Sequence, residues 1–215
     1  YMSEPVIVND PKGVGAFLLA SNEMEMLPSM SNGKGKTIMM DNYFNRETKK
    51  DAFGNTIVHH YKWWEEDNGG FSFVDHIIQK NGGRTSILDA APTAENLKKA
   101  SIFFLVDPDW PKENKTPNYI EPQHIAALYD WVKAGGVLVL MANDSNNVEF
   151  VRYNQLAGKF GIHFNENMRH DVTGNQYGQG AIPIPEGHPI FATAKKVFIK
   201  QLCTQEITKP AAAVY

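Results

Sequence analysis

The sequence predicts an α/β fold: a doubly wound, mainly parallel sheet of about five or six strands, flavodoxin-like or Rossmann-like, preceded by one isolated helix. Three observations predict it. Strand-sized apolar runs such as Ile102–Val106 and Val137–Met141 recur without polar alternation, the pattern of strands covered on both faces. Segments with apolar residues at helical spacing stand between those runs. Glycine, proline and asparagine punctuate the joins.

The isolated helix comes first. Asp10 suits an N-cap and Pro11 the first helical position, and Val14, Phe17, Leu18 and Met24 then form a stripe near the helical period. It ends near Met26–Pro28, and the polar, glycine-containing Ser29–Lys36 stretch reads as a linker. The expected organisation is therefore a terminal helix over 1–28, a linker over 29–35 and an α/β domain over 36–215.

Within that domain Thr37–Asp41 is the first strand, and Asn42 to Asn68 is a long polar and aromatic insertion. Phe71–Gln79 reads as a helix stopped by Asn81-Gly82-Gly83, Thr85–Leu88 as a strand and Ala94–Lys99 as a short helix. Ile102–Val106 is the third strand, rich in β-formers, and a proline-punctuated loop follows. Pro122 opens a helix whose Ile125, Leu128, Tyr129 and Val132 share one face, and Gly135 ends it. Val137–Met141 is an unbroken apolar strand. Asn147–Phe160 is a helix with Tyr153, Leu156, Ala157 and Phe160 on one side, Ile162–Phe164 a fifth strand and Lys196–Lys200 a late one.

Composition removes several function classes. The 215 residues carry a formal charge of −3, with a pI near 6.2, so there is no basic footprint for nucleic acid. No apolar run approaches the roughly 20 residues of a membrane span, and no signal peptide is visible. The single cysteine, Cys203, excludes an internal disulfide.

Two stretches resemble known families. Asp10-Pro-Lys-Gly-Val-Gly-Ala-Phe-Leu-Leu-Ala-Ser-Asn-Glu-Met resembles the last helix of unsaturated rhamnogalacturonyl hydrolases, glycoside hydrolase family 105, related to family 88. In those enzymes that helix closes an α/α barrel. The remainder is similar to a domain that follows the barrel in some of them, itself like class I glutamine amidotransferases. Its recognisable pieces are Met40-Asp41-Asn42-Tyr43-Phe44-Asn45, Ala91-Pro-Thr-Ala-Glu-Asn-Leu97, Val106-Asp107-Pro108-Asp109 and Trp131-Val-Lys-Ala-Gly-Gly-Val-Leu-Val-Leu140.

The resemblance implies a non-catalytic accessory domain of a polysaccharide-degrading glycoside hydrolase that acts on unsaturated uronyl, rhamnogalacturonan-type oligosaccharides. It implies a barrel domain as partner, a periplasmic or extracellular location, and an α/β domain that is incomplete at its C-terminal side. It transfers no catalytic residue to this chain. Two alternatives stay open: a carbohydrate-active hydrolase using crevice carboxylates, and a sugar-binding module.

The candidate site follows from the strand ends. Ligands of doubly wound sheets bind in the crevice beyond the strand C-termini. Asp41 and Asn42, Asp107 and Asp109, and Asn143 and Asp144 all fall there. They can bind an oligosaccharide or a calcium ion, or serve only as helix caps and turn formers. Trp63 and Trp64 lie in the insertion and can stack on a sugar face or pin the loop to the sheet. Adjacent His59 and His60 argue against zinc, since neighbours in an extended segment point apart. Cys203 lacks the glycine-flanked elbow of a nucleophile, and Ala142-Asn143-Asp144-Ser145 occupies the expected elbow position. No catalytic residue is assigned.

Overall fold

The computed structural model describes residues 17–21, 32–145, 147–188, 190–191 and 193–213. Of the expected N-terminal helix, residues 17–21 are helical, with Phe17, Leu18 and Leu19 exposed. Its cap at Asp10, its end near Met26 and most of the linker lie outside the described residues.

Four strands form the central sheet, all parallel. They are β1 (Thr37–Asp41), β4 (Arg84–Leu88), β5 (Ile102–Val106) and β6 (Val137–Met141), in the order β4-β1-β5-β6. The first and third predicted strands are thus direct neighbours, with Ile38 opposite Ile102. Helices connect the strands: α1 (Ser72–Lys80), α2 (Ala94–Leu97), α3 (Pro122–Lys133) and, after β6, α4 (Phe150–Ala157).

Alternation along each strand splits the core in two. On one face Met39, Phe103 and Leu105 pack with Leu97, Ile125, Leu128, Phe150, Tyr153 and Leu156. On the other, Ile38, Met40 and Val106 pack with Trp63 of the insertion and Val74 and Ile78 of α1. Parallel strands need this cover on both sides, because neither face carries polar residues to meet water.

Local rules account for the element ends. Thr93 caps α2 by accepting from Asn96 N at 3.1 Å. Pro122 opens α3 just after Glu121, whose N–H donates to His124 Nδ1 at 3.1 Å. A 3-10 turn, Gly158–Phe160, follows α4 and ends at Gly161 with φ +78°. A Cβ there would meet Thr208 O at 2.2 Å, so glycine is required by both conformation and space.

Several expectations need correction. The insertion contains an antiparallel hairpin, β2 (Thr48–Lys50) with β3 (Thr56–Val58). Its turn is held by Asp51, which accepts from Phe53 N and Asn55 N. The predicted fifth strand, β7 (Ile162–Phe164), is not hydrogen-bonded into the central sheet; it pairs antiparallel with β10 (Gln205–Ile207). The late strand, β9 (Lys196–Phe198), pairs with β8 (Ala181–Pro183). The predicted helix from Asn147 begins at Phe150, because Glu149 takes the N-cap by accepting from Arg152 N.

Candidate functional site

The C-terminal ends of β1, β5 and β6 meet at one edge of the sheet, and hydrogen bonds tie their following loops together. Asp107, directly after β5, has φ +36°, a conformation costly for a residue with a Cβ and common at functional positions. Its Oδ1 accepts from Asn143 N at 3.0 Å. Its carbonyl accepts from Asn45 Nδ2 at 2.8 Å. Asp109 N donates to Phe44 O at 2.9 Å, and Asp109 Oδ2 accepts from Arg46 N at 2.9 Å and Asn114 Nδ2 at 2.8 Å. Tyr153 reaches the same edge from below, its hydroxyl donating toward Met141 O and Leu105 O at 3.0 and 3.2 Å.

The predicted site residues divide into three groups. Asp41 is spent on the fold: it accepts from Tyr43 N, Phe44 N and Asn45 N at 3.3, 3.0 and 2.9 Å, in the manner of a cap. Asn42 turns toward β4, where its side-chain Nδ2 donates to Asp89 Oδ1 while its backbone carbonyl accepts from Arg46 Nη1; its Oδ1 is buried without a partner. Asp144 accepts from Asn147 Nδ2 at 3.0 Å. Asp107, Asp109 and Asn143 stay at the crevice between β5 and β6. Trp63 is pinned to the sheet: it is buried, its Nε1 donates to Ser86 O at 2.8 Å, and its ring meets Phe71 and Phe104 edge-on. Trp64 is exposed.

The insertion supplies groups that the strand ends alone do not reveal. His60 and Tyr61 both have left-handed backbone, φ +69° and +57°, and their rings stack at 4.2 Å with an 8° tilt. The extended-chain argument about His59 and His60 therefore fails: the turn brings their rings to 5.6 Å. His60 Nδ1 lies 2.7 Å from Glu47 Oε1. Tyr61 OH accepts from Asn143 Nδ2 at 3.3 Å and sits beside the Asp107 carboxyl. Lys62 is fully buried, its Nζ donating to Asn45 O at 2.9 Å and Asn45 Oδ1 at 3.0 Å. Glu113, half-buried in the proline-punctuated loop, lies in the electrostatic reach of Glu47, Asp109 and Asp107.

Burial sets the protonation of this edge. It pushes the Asp41 carboxyl up to about 6 against the opposing backbone N–H groups and Lys62. It pushes Asp107 up to about 7, opposed by hydrogen bonds from Tyr61 and Asn143 N. It raises Asp109 too. Burial and the neighbouring carboxylates Glu47, Asp109 and Asp107 take Glu113 up to about 8. Burial would also raise Glu47, but the hydrogen bond and charge of His60 outweigh it and hold Glu47 below its ordinary value. The same contact raises His60. Burial pulls the Lys62 ammonium below its ordinary value despite Asp41 and Asp109 nearby.

Two further observations bear on chemistry. Cys203 reaches the end of β6, its Sγ 3.5 Å from Ala142 O, but burial pushes its thiol up to about 11, so it is a poor nucleophile. Among the described residues no group of three or more His, Cys, Asp or Glu side chains is placed to hold a metal ion.

Glu47, His60, Tyr61, Lys62 and Glu113 are the site residues that the strand-end argument misses. For His60, Tyr61 and Lys62 the signal is the charged and aromatic density of His59-His-Tyr-Lys-Trp-Trp-Glu-Glu66, which does not say which side chains turn inward; Glu47 and Glu113 stand in separate loop stretches with no local pattern to mark them.

No family model matches this chain, and neither does any curated protein. Among solved structures it is similar to the mmIFT52 N-terminal domain, with a TM-score of 0.60 and 16% identity over 83% of this chain and 72% of that one. At that identity the likeness concerns the fold, and what it establishes is an α/β domain built on a mainly parallel sheet.

Proposed function

We propose that this chain is a non-catalytic accessory domain of a glycoside hydrolase acting on unsaturated uronyl, rhamnogalacturonan-type oligosaccharides, in the periplasm or outside the cell. The observation that carries the non-catalytic part is the fate of Asp41. Its carboxylate is consumed by three backbone N–H groups of its own turn, and Asp109 likewise spends one oxygen on Arg46 N and Asn114. The strand order, with the first strand between the second and third, supports a doubly wound, flavodoxin-like sheet. The exposed Phe17, Leu18 and Leu19 support a helix whose apolar side belongs against a neighbouring barrel. The domain braces that barrel and helps to hold the oligosaccharide.

The test is turnover of an unsaturated rhamnogalacturonyl disaccharide, followed by loss of the 4,5-double-bond absorbance. The isolated chain is expected to give none, and saturable turnover overturns the reading.

A second reading, a hydrolase in its own right, is favoured by one observation. Glu113 and Glu47 are neighbouring carboxyls whose surroundings drive them apart, one up to about 8 and the other below its ordinary value, the pattern of an acid and base pair. Turnover that falls at least a hundredfold in both Glu113→Gln and Glu47→Gln establishes it.

A further inference from the structure

We propose that the crevice at the ends of β1 and β5 binds a neutral glycosyl unit through its hydroxyls, at a site formed by Glu47, His60, Tyr61, Asp109 and Glu113. The inference rests on the carbohydrate reading above and specifies the ligand for it.

Geometry comes first. The three chain stretches that carry these residues are cross-tied: Arg46 N and Phe44 O bond Asp109, Asn45 bonds Asp107 O, and Lys62 Nζ bonds Asn45. The crevice wall is therefore held in place before any ligand arrives, which limits the ordering cost of binding. Glu47 and His60 keep 16% and 38% of their side chains exposed, and Tyr61 and Glu113 are half-buried, so a ligand can reach them.

One buried acceptor of this cluster lacks a partner. Asp109 is 1% exposed, and its Oδ1 has no hydrogen-bond partner, whereas its Oδ2 has two. A desolvated carboxylate oxygen is an acceptor that a donor group stabilises. Its electrostatic neighbours include Glu47, and Glu113 in turn feels both, so the orphaned oxygen belongs to the same cluster.

The mixture of groups selects hydroxyls. Glu47 and Asp109 Oδ1 accept; the His60 ring, whose protonated form the Glu47 contact favours, and the protonated Glu113 donate. A sugar hydroxyl gives one hydrogen bond and takes others, whereas an ammonium only gives and a carboxylate only takes. A uronate would also bring a negative charge toward Glu47 and Asp109, a like-charge contact that disfavours binding. The stacked His60 and Tyr61 rings offer an aromatic wall for the C–H side of the sugar.

The experiment is nitrogen–proton correlation NMR of the full chain at pH 7, titrated separately with methyl galactoside, methyl rhamnoside and methyl galacturonoside. At least one neutral glycoside is expected to give saturable shifts at Tyr61, Asn143 and Arg46, at least tenfold tighter than the galacturonoside. Glu113→Ala, which removes the donor, and Asp109→Asn are each expected to weaken it at least tenfold while the spectrum elsewhere and the melting temperature are kept. Glu47→Gln serves as the second variant if either of those unfolds. A galacturonoside that binds as tightly as the neutral sugars, or binding that survives the variants, overturns the inference and leaves the accessory-domain reading standing. Absence of any shift also overturns it and leaves the domain as a brace. The accessory reading itself falls only in the turnover assay.

Discussion

Replacing Asp107 by Asn should make the protein more stable in alkaline solution and much less so in acid. The carboxyl is 4% exposed and titrates at about 7 in the folded chain instead of its ordinary 3.8, because burial penalises its charge. A raised carboxyl favours folding fully below its unfolded value, and that contribution is lost as pH rises through the folded one. The gap between 3.8 and about 7, at roughly 1.4 kcal/mol per pH unit, corresponds to a cost on the order of 4 kcal/mol for the ionised group.

Asn is a fair replacement for two reasons. It tolerates the left-handed backbone at φ +36°, and its amide oxygen can still accept from Asn143 N. The assay is urea unfolding followed by tryptophan fluorescence, in steps from pH 4.5 to 9. The difference between variant and wild type isolates this one group from Asp41, Glu113 and His60, which shift in the same sense. The expected difference is about 1 kcal/mol at pH 4.5, already above the unfolded value, and grows to about 2–4 kcal/mol in favour of Asn by pH 8.5. A difference that stays flat over this range, or that favours Asp at high pH, refutes the argument that the carboxyl is buried without adequate compensation.

Three other outcomes are expected. Lys62→Met should cost about 3–5 kcal/mol at pH 7, since it leaves Asp41 and Asp109 without their buried cation; a chemical-denaturation loss under 1 kcal/mol would show that the carboxylates do not depend on it. Trp63→Ala should cost about 3–5 kcal/mol and Trp63→Phe about 1–2, the smaller figure reflecting kept packing on Phe71 and Phe104 with loss of the bond to Ser86 O; near-neutral Ala would remove the insertion from the core. Removing residues 1–28 should leave the melting temperature within about 2 °C, because the exposed Phe17, Leu18 and Leu19 add little burial to the α/β domain; a fall of several degrees would assign the helix to that domain.

Much of the sheet was legible in the sequence. Val-Leu-Val-Leu-Met over 137–141 and Ile-Phe-Phe-Leu-Val over 102–106 are strands at the predicted bounds, because a continuous apolar run of strand length has one compatible place in an α/β fold. The α3 stripe of Ile125 and Leu128 was equally plain, since helical spacing alone puts both on the buried face. The hairpin β2–β3 was not legible: Thr48-Lys-Lys50 is fully exposed, so nothing in its hydrophobic pattern marks it. The partners of β7 and β9 were also hidden, because three-residue strands carry too little pattern to say which sheet they join.

By itself, then, the sequence determined the strands of the central sheet, the helices between them and the placing of Asp107, Asp109 and Asn143 at strand C-termini, because chain connectivity and hydrophobic period are local properties. Only the tertiary structure decided what those groups do. Val137 and Met141 belong to a strand that reads as buried, yet they are 51% and 39% exposed, because β6 lies at the end of the sheet. Asp41 and Asp109 look alike in the sequence, but one is satisfied by the turn that follows it and the other keeps an oxygen without a partner. Their companions Glu47, His60, Lys62 and Glu113 arrive from two separate loops. Burial and charge at such a convergence depend on which distant segments fold over one another, and that is settled by packing across the whole sheet edge.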